Sequence, residues 1–163
     1  MTDESTRKPS TAADRPRVLV DAMCGALARH LRMCGYDAAY ALDRGVESDE
    51  RLRALADDEC RVLITRDREL AAAMDDAVLL TEREVIDQLR ELDAAGFPVD
   101  LPVEPRHCGT CNGRVERVRD EPVADRPAYV PDDVDPVWRC RECGQWFWKG
   151  SHWEHLASRL ERI

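Results

Sequence analysis

Apolar residues in the first two thirds of the chain alternate between short β-branched runs and helical stripes. Arg17-Val-Leu-Val-Asp21 is such a run, ends in a carboxylate and predicts a first strand. Met23, Leu27, Leu31 and Cys34 then recur at helical spacing, with Gly35 placed to end the helix. Asp37-Ala-Ala-Tyr-Ala41 is a weaker strand. Ser48 is set to cap a helix with Asp49 and Glu50 in its first turn and Leu52, Leu55 and Ala56 as its buried stripe. Arg61-Val-Leu-Ile-Thr65 is the clearest strand and runs directly into Arg66-Asp67. A helix follows over residues 69–74 and a fourth strand over residues 77–80. Thr81 and Glu84 then stand as a capping box before Val85, Ile86, Leu89 and Leu92. This alternation predicts parallel strands with right-handed crossovers, an α/β domain of three layers over residues 16–96.

The pattern changes after Gly96. Residues 97–104 form a proline-punctuated linker, and residues 120–136, rich in Pro and Asp, read as a long surface loop. Two knuckles bracket that loop, Cys108-Gly-Thr-Cys111 and Cys140-Arg-Glu-Cys143, with 28 residues between them. Each C-x-x-C turn aims two thiolates at one point, and the pair completes a tetrahedral shell for Zn²⁺. Disulfides or ordinary buried cysteines are the alternatives. A four-cysteine zinc ribbon over residues 105–150 is therefore expected, with residues 151–163 as a C-terminal segment and residues 1–15 as a polar, disordered tail. A closed shell of four cysteines is structural, so any chemistry must lie elsewhere. Cys24, Cys34 and Cys60 sit in apolar contexts and read as small buried hydrophobes.

The 163 residues suffice for one ordinary domain and a small module. No apolar run approaches the roughly 20 residues of a membrane span, and the N-terminus lacks the apolar core of a secretory signal. A cytoplasmic protein with no membrane partner is expected, its thiols reduced and available to zinc. Residues 1–105 carry 23 acidic against 14 basic side chains, which accounts for the whole net charge of −9. Such acidity argues against non-specific polyanion binding by the first domain. Only Lys8 and Lys149 are lysines among the 24 basic residues, a composition typical of salt-adapted or GC-rich sources. In strong salt the acidity is screened and says little about partners.

In parallel α/β sheets, functional groups gather at the C-terminal ends of strands. Asp21 ends the first strand, Asp67 follows the third by two residues, and Asp49 and Glu50 open a helix. If these converge on one sheet edge, their shared charge selects hard cations, Mg²⁺ or Mn²⁺, which activate water and clamp phosphate. Arg66 and Arg68 flank Asp67 and are placed to steady a phosphate oxygen. The competing reading is that strand-end aspartates cap the next helix and that Asp49 and Glu50 complement a helix dipole.

Several stretches together resemble the Mut-seven C-terminal RNase family. They are Leu-Val-Asp21-Ala-Met-Cys-Gly25-Ala-Leu-Ala-Arg29-His-Leu-Arg32-Met-Cys-Gly35-Tyr36-Asp37, Ser48-Asp49-Glu50, Leu-Ile-Thr65-Arg66-Asp67, and Trp138-Arg-Cys140-Arg-Glu-Cys143-Gly followed by Trp148-Lys149-Gly150-Ser151-His152-Trp153. The resemblance implies a PIN-like nuclease domain with a zinc ribbon, and a Mg²⁺- or Mn²⁺-dependent ribonuclease acting on RNA. Its acidic positions match Asp21, Asp49 (or Glu50) and Asp67, expected as the catalytic residues. A fourth acidic position has no unambiguous match, and Glu82 is the nearest candidate. PIN-like domains often pair, so a homodimer is among the expectations. Around the second knuckle, Trp138, Trp146, Phe147, Trp148 and Trp153 interleave with Lys149, Arg139 and Arg141, either to stack RNA bases or to build the ribbon's core. Lys149 and His152 are the expected RNA contacts there. Two rival readings stand: a non-catalytic RNA- or ribosome-associated binding protein, and a protein-interaction adaptor.

Overall fold

The computed structural model describes residues 14–163. The tail expected over residues 1–15 lies outside the described residues except for Asp14 and Arg15. Arg15 is firmly engaged: its guanidinium donates to the Cys34 carbonyl, pairs with Asp100 at 2.5 Å and lies 5.1 Å from the centre of the Tyr36 ring.

The first module follows the predicted order. Strand β1 (Val18–Val20) leads through a 3-10 turn (Ala22–Cys24) into helix α1 (Gly25–Met33), then β2 (Ala38–Tyr40), α2 (Asp49–Asp58), β3 (Val62–Thr65), α3 (Arg68–Ala72), β4 (Ala77–Leu79) and α4 (Val85–Ala94). The strands are all parallel in the order β2-β1-β3-β4. Pleat alternation divides the core between the two faces. Val18, Val20 and Ile64 pack with Leu27 and Leu31 of α1 and Leu89 and Leu92 of α4. Leu19 and Leu63 pack with Leu52 and Ala56 of α2 and Leu70 of α3. The result is the expected three-layer α/β domain.

Three local expectations fail for identifiable reasons. Met23 belongs to the 3-10 turn rather than to α1, and it is 58% exposed. Cys60 is exposed because it follows α2 at a φ of +52°, the left-handed position that closes a helix and usually holds glycine. The Thr81–Glu84 capping box does not form, and α4 begins without a side-chain cap. Glu91, well inside α4, instead accepts from the amides of Thr81 (2.9 Å) and Glu82 (3.2 Å) and from the Thr81 hydroxyl.

Beyond residue 96, Phe97, Val99 and Leu101 pack against the α1/α4 face of the core. Strands β5 (Val115–Val118), β6 (Val137–Cys140) and β7 (Trp146–Phe147) form an antiparallel sheet, and the four knuckle cysteines cluster beside it, which fits a zinc ribbon. Helix α5 (Ser151–Leu160) then returns, with Leu160 and Ile163 packed on the α/β core.

Charge sets an acid limit on this fold. The Arg61 side chain is 4% exposed and pairs with Asp37 (2.7 Å) and Glu59 (2.6 Å). Burial alone would raise the Asp37 pKa, but hydrogen bonds from Arg61 and Asn112 and the Arg61 charge bring it down to about 2 from an ordinary 3.8. Glu59, bonded by Arg44 and Arg61, is likewise held at about 2. Because the folded pKa is depressed, the stabilisation is complete above the unfolded value and is lost as pH falls through the folded one. Melting temperature is therefore expected to drop steeply between about pH 4 and pH 2. Asp37→Asn should flatten that drop and cost about 2 kcal/mol at neutral pH, less than the roughly 3–5 for breaking a buried pair because Glu59 still faces Arg61. Thermal melts across the acid range check both.

Candidate active site

β1 and β3 are adjacent and parallel, so the residues leaving their C-terminal ends emerge side by side. Asp21 stands at the end of β1, only 7% exposed. One of its oxygens accepts from the Ala22 amide (2.7 Å) and the other from the Thr65 hydroxyl (2.7 Å). That same hydroxyl accepts from the Asp67 amide (3.0 Å). Thr65, fully buried at the end of β3, thus ties Asp21 to the segment that carries Asp67. Oδ1 of Asp67 accepts from the Glu69 and Leu70 amides and caps α3. Both aspartates therefore perform the capping role that sequence allowed, and they leave the ends of adjacent strands. Sequence pattern singles out the carboxylates and passes over Thr65. Its signal is a hydroxyl two residues before an acid at a strand end.

Asp49 is exposed at the start of α2, which Ser48 caps by accepting from the Arg51 amide (3.3 Å). No hydrogen bond or ion pair among the described residues joins Asp49 to Asp21 or Asp67. Glu82 is exposed on the β4–α4 connection. Burial would raise the Glu91 pKa, but hydrogen bonds from Thr81 and Glu82, with the Arg66 charge, bring it below the ordinary glutamate value. Arg66 is half-buried, and its Nε is a buried donor without a hydrogen-bond partner among the described residues. Arg68 is exposed on the first turn of α3. The nearby Cys24 thiol is pushed up to about 11, chiefly by burial and then by Asp21, so it stays protonated and is no nucleophile at neutral pH.

Mg²⁺ keeps several waters and takes one or two protein carboxylates, and Asp21 and Asp67, leaving adjacent strands, are hard-oxygen donors of that kind. They do not form a cluster of three acids. Among the described residues, Cys108, Cys111, Cys140 and Cys143 are the one group of three or more possible metal-ligating side chains brought together.

In that cluster the four Sγ atoms lie within 4.8 Å of one another. The Cys108–Cys143 and Cys111–Cys140 separations are 3.7 and 3.5 Å. Four thiolates about 2.3 Å from a zinc ion sit about 3.8 Å apart, so the donor set and its size fit Zn²⁺. The amides of Gly113 and Glu142 point at Cys111 and Cys140 Sγ, both at 3.4 Å, as charge-stabilising donors. Gly113 has to be glycine: a Cβ there would meet Glu142 Cγ at 2.6 Å and Cys140 Sγ at 2.9 Å.

Around the second knuckle, Trp138 and Trp146 are buried, and Trp138 Nε1 donates to Glu104 (2.7 Å). The Lys149 ammonium donates to the Val103 carbonyl (2.5 Å) and lies over the rings of Trp138 (5.8 Å) and Trp153 (5.3 Å). Its charge therefore already bridges the linker and the ribbon. His152 is exposed on the first turn of α5. Among the described residues, no helix is long and apolar enough to cross a membrane.

Searches of curated proteins and of solved structures found no match to this chain. The family model described as the Mut7-C RNAse domain matches residues 16–160, from just before β1 to the end of α5. That match carries a nuclease or RNA-related role, and the chain belongs to the Mut7-C RNAse domain family.

Proposed function

We propose that the protein is a divalent-metal-dependent ribonuclease whose centre is the Asp21–Thr65–Asp67 constellation. The observation that carries this reading is the Thr65 hydroxyl, which joins the carboxylate at the end of β1 to the segment following β3. Family membership supports RNA as the substrate. Asp21 and Asp67 would hold Mg²⁺ or Mn²⁺, with Asp49 reaching it through water once RNA is bound. Such an ion lowers the pKa of a bound water and neutralises phosphate charge. Thr65 fixes which Asp21 oxygen faces the site. Arg66, with its unpartnered Nε, and Arg68, on the α3 surface, steady the phosphodiester. Lys149 and His152 extend the RNA path onto the ribbon, and the four cysteines hold a structural zinc.

Cleavage of labelled single-stranded RNA by Asp67→Asn and Thr65→Val tests this reading. Asp67→Asn should remove cleavage with zinc content and circular dichroism unchanged. Thr65→Val should lower it about 10- to 100-fold, the usual cost of losing a group that orients a metal ligand. RNA bound but never cut under any divalent ion would instead favour a binding protein.

A further inference from the structure

β2 is an edge strand, and edge strands need their outward backbone groups covered. Val18 donates to the Asp37 carbonyl and Ala41 to the Val20 carbonyl, so the backbone of Ala38 faces away from β1. Both of its groups are nevertheless satisfied. Its amide donates to Asn112 Oδ1 (2.9 Å), and its carbonyl accepts from Arg32 Nε (2.9 Å).

Both partners are tied to the first cysteine knuckle. Asn112 directly follows Cys111, holds a left-handed φ of +66°, and donates its own amide to the Cys108 carbonyl (2.8 Å). Its side-chain nitrogen donates to Asp37 (2.7 Å), so one carboxamide grips two successive residues of the chain entering β2. Arg32 is 4% exposed and also donates to the carbonyls of Gly109 (3.1 Å) and Thr110 (3.4 Å), the two residues between Cys108 and Cys111. These carbonyls and the Asn112 side chain all belong to the knuckle that brings Cys108 and Cys111 together.

The elements held in this way flank Asp21. α1, which carries Arg32, follows Asp21 through the 3-10 turn, and the Tyr40 hydroxyl of β2 donates to the Ala22 carbonyl (2.9 Å). We infer that the first knuckle is a metal-dependent clamp on the α/β sheet: loading of the four-cysteine cluster orders the β2 edge and, through Tyr40 and α1, the segment carrying Asp21. A metal that binds only the closed knuckle must favour whatever else needs that closure, and the coupling is reciprocal. The clamp holds whether or not the chain cuts RNA.

Backbone hydrogen exchange on the whole chain tests it, zinc-loaded, after chelation, and in zinc-loaded Asn112→Ala. The amides to follow are Val18 and Ala41, which join β2 to β1 and touch neither Asn112 nor the cysteines. Chelation should speed their exchange about tenfold or more, with the Leu63 and Leu80 amides on the β3–β4 side affected less. Asn112→Ala should speed Val18 and Ala41 while Val115–Val118 of the ribbon stay protected, and should weaken zinc binding about tenfold by reciprocity. If chelation opens Val115–Val118 but leaves Val18 and Ala41 at zinc-loaded rates, the clamp is refuted. If chelation unfolds the entire chain, the zinc-loaded Asn112→Ala protein decides. Val18 and Ala41 exposed beside a protected ribbon support the clamp, and their unchanged protection overturns it.

Discussion

Asp21→Asn is expected to lower metal-dependent RNA cleavage by two to three orders of magnitude, with the fold and zinc content intact. A bound divalent ion supplies several kcal/mol of transition-state stabilisation, and each factor of ten in rate corresponds to about 1.4 kcal/mol. If Asp21 holds the ion as proposed, losing its buried carboxylate forfeits most of that. Structure survives because asparagine keeps the shape and one carbonyl acceptor. That oxygen can still take the Ala22 amide, and the new amide can donate to the Thr65 hydroxyl, which then accepts from both sides. Asp49→Asn should cost less, since Asp49 is exposed and joined to neither of the other aspartates. Cleavage rates at saturating Mn²⁺, with zinc content measured on the same samples, separate lost chemistry from lost folding.

The second large effect is expected from Cys140→Ser, which should abolish zinc binding and unfold the ribbon. Apart from Trp138 and two of the cysteines, the ribbon's buried apolar side chains are Val130, Val137 and Trp146, flanked by Val118, Val134 and Trp148. So few buried side chains cannot offset the ordering of a module this long. Structural zinc sites supply about 10–16 kcal/mol of apparent binding energy, which in such modules is folding energy. Zinc content should fall to background, and the near-ultraviolet dichroism of buried Trp138 and Trp146 should collapse. The α/β sheet should remain, with its β2 edge loosened. A zinc-free variant with unchanged tryptophan dichroism would show that the cysteines are not what holds the ribbon.

What could be read in the sequence was local. β1 and β3 announce themselves as β-branched runs, Ser48 caps as its position promises, and C-x-x-C spacing alone brought four sulfurs together. What could not be read depends on partners far along the chain. Glu91 displaced Glu84 at the Thr81 turn because α4 turns its carboxylate back onto two free amides, a contact no capping rule considers. Nothing in the helical pattern around Arg32 signals burial, yet it is buried and donates to Gly109, 77 residues further along. The β2-β1-β3-β4 order brings the strand ends that lead into Asp21 and Asp67 together, and sequence implied that adjacency only through the general behaviour of parallel sheets. Asp49 illustrates the remaining gap. Its helix start is legible from the Ser48 cap, but the distance from a helix start to a strand end is set by packing, not spacing.

The proposed chemistry is RNA cleavage at Asp21 and Asp67 with a divalent ion. Its most direct test is cleavage of an end-labelled single-stranded RNA by the zinc-loaded chain, with and without added Mn²⁺, over a range of salt. Cleavage should appear with Mn²⁺ and be absent without it. RNA left intact at every Mn²⁺ and salt concentration, by a chain that is folded and holds its zinc, would contradict it.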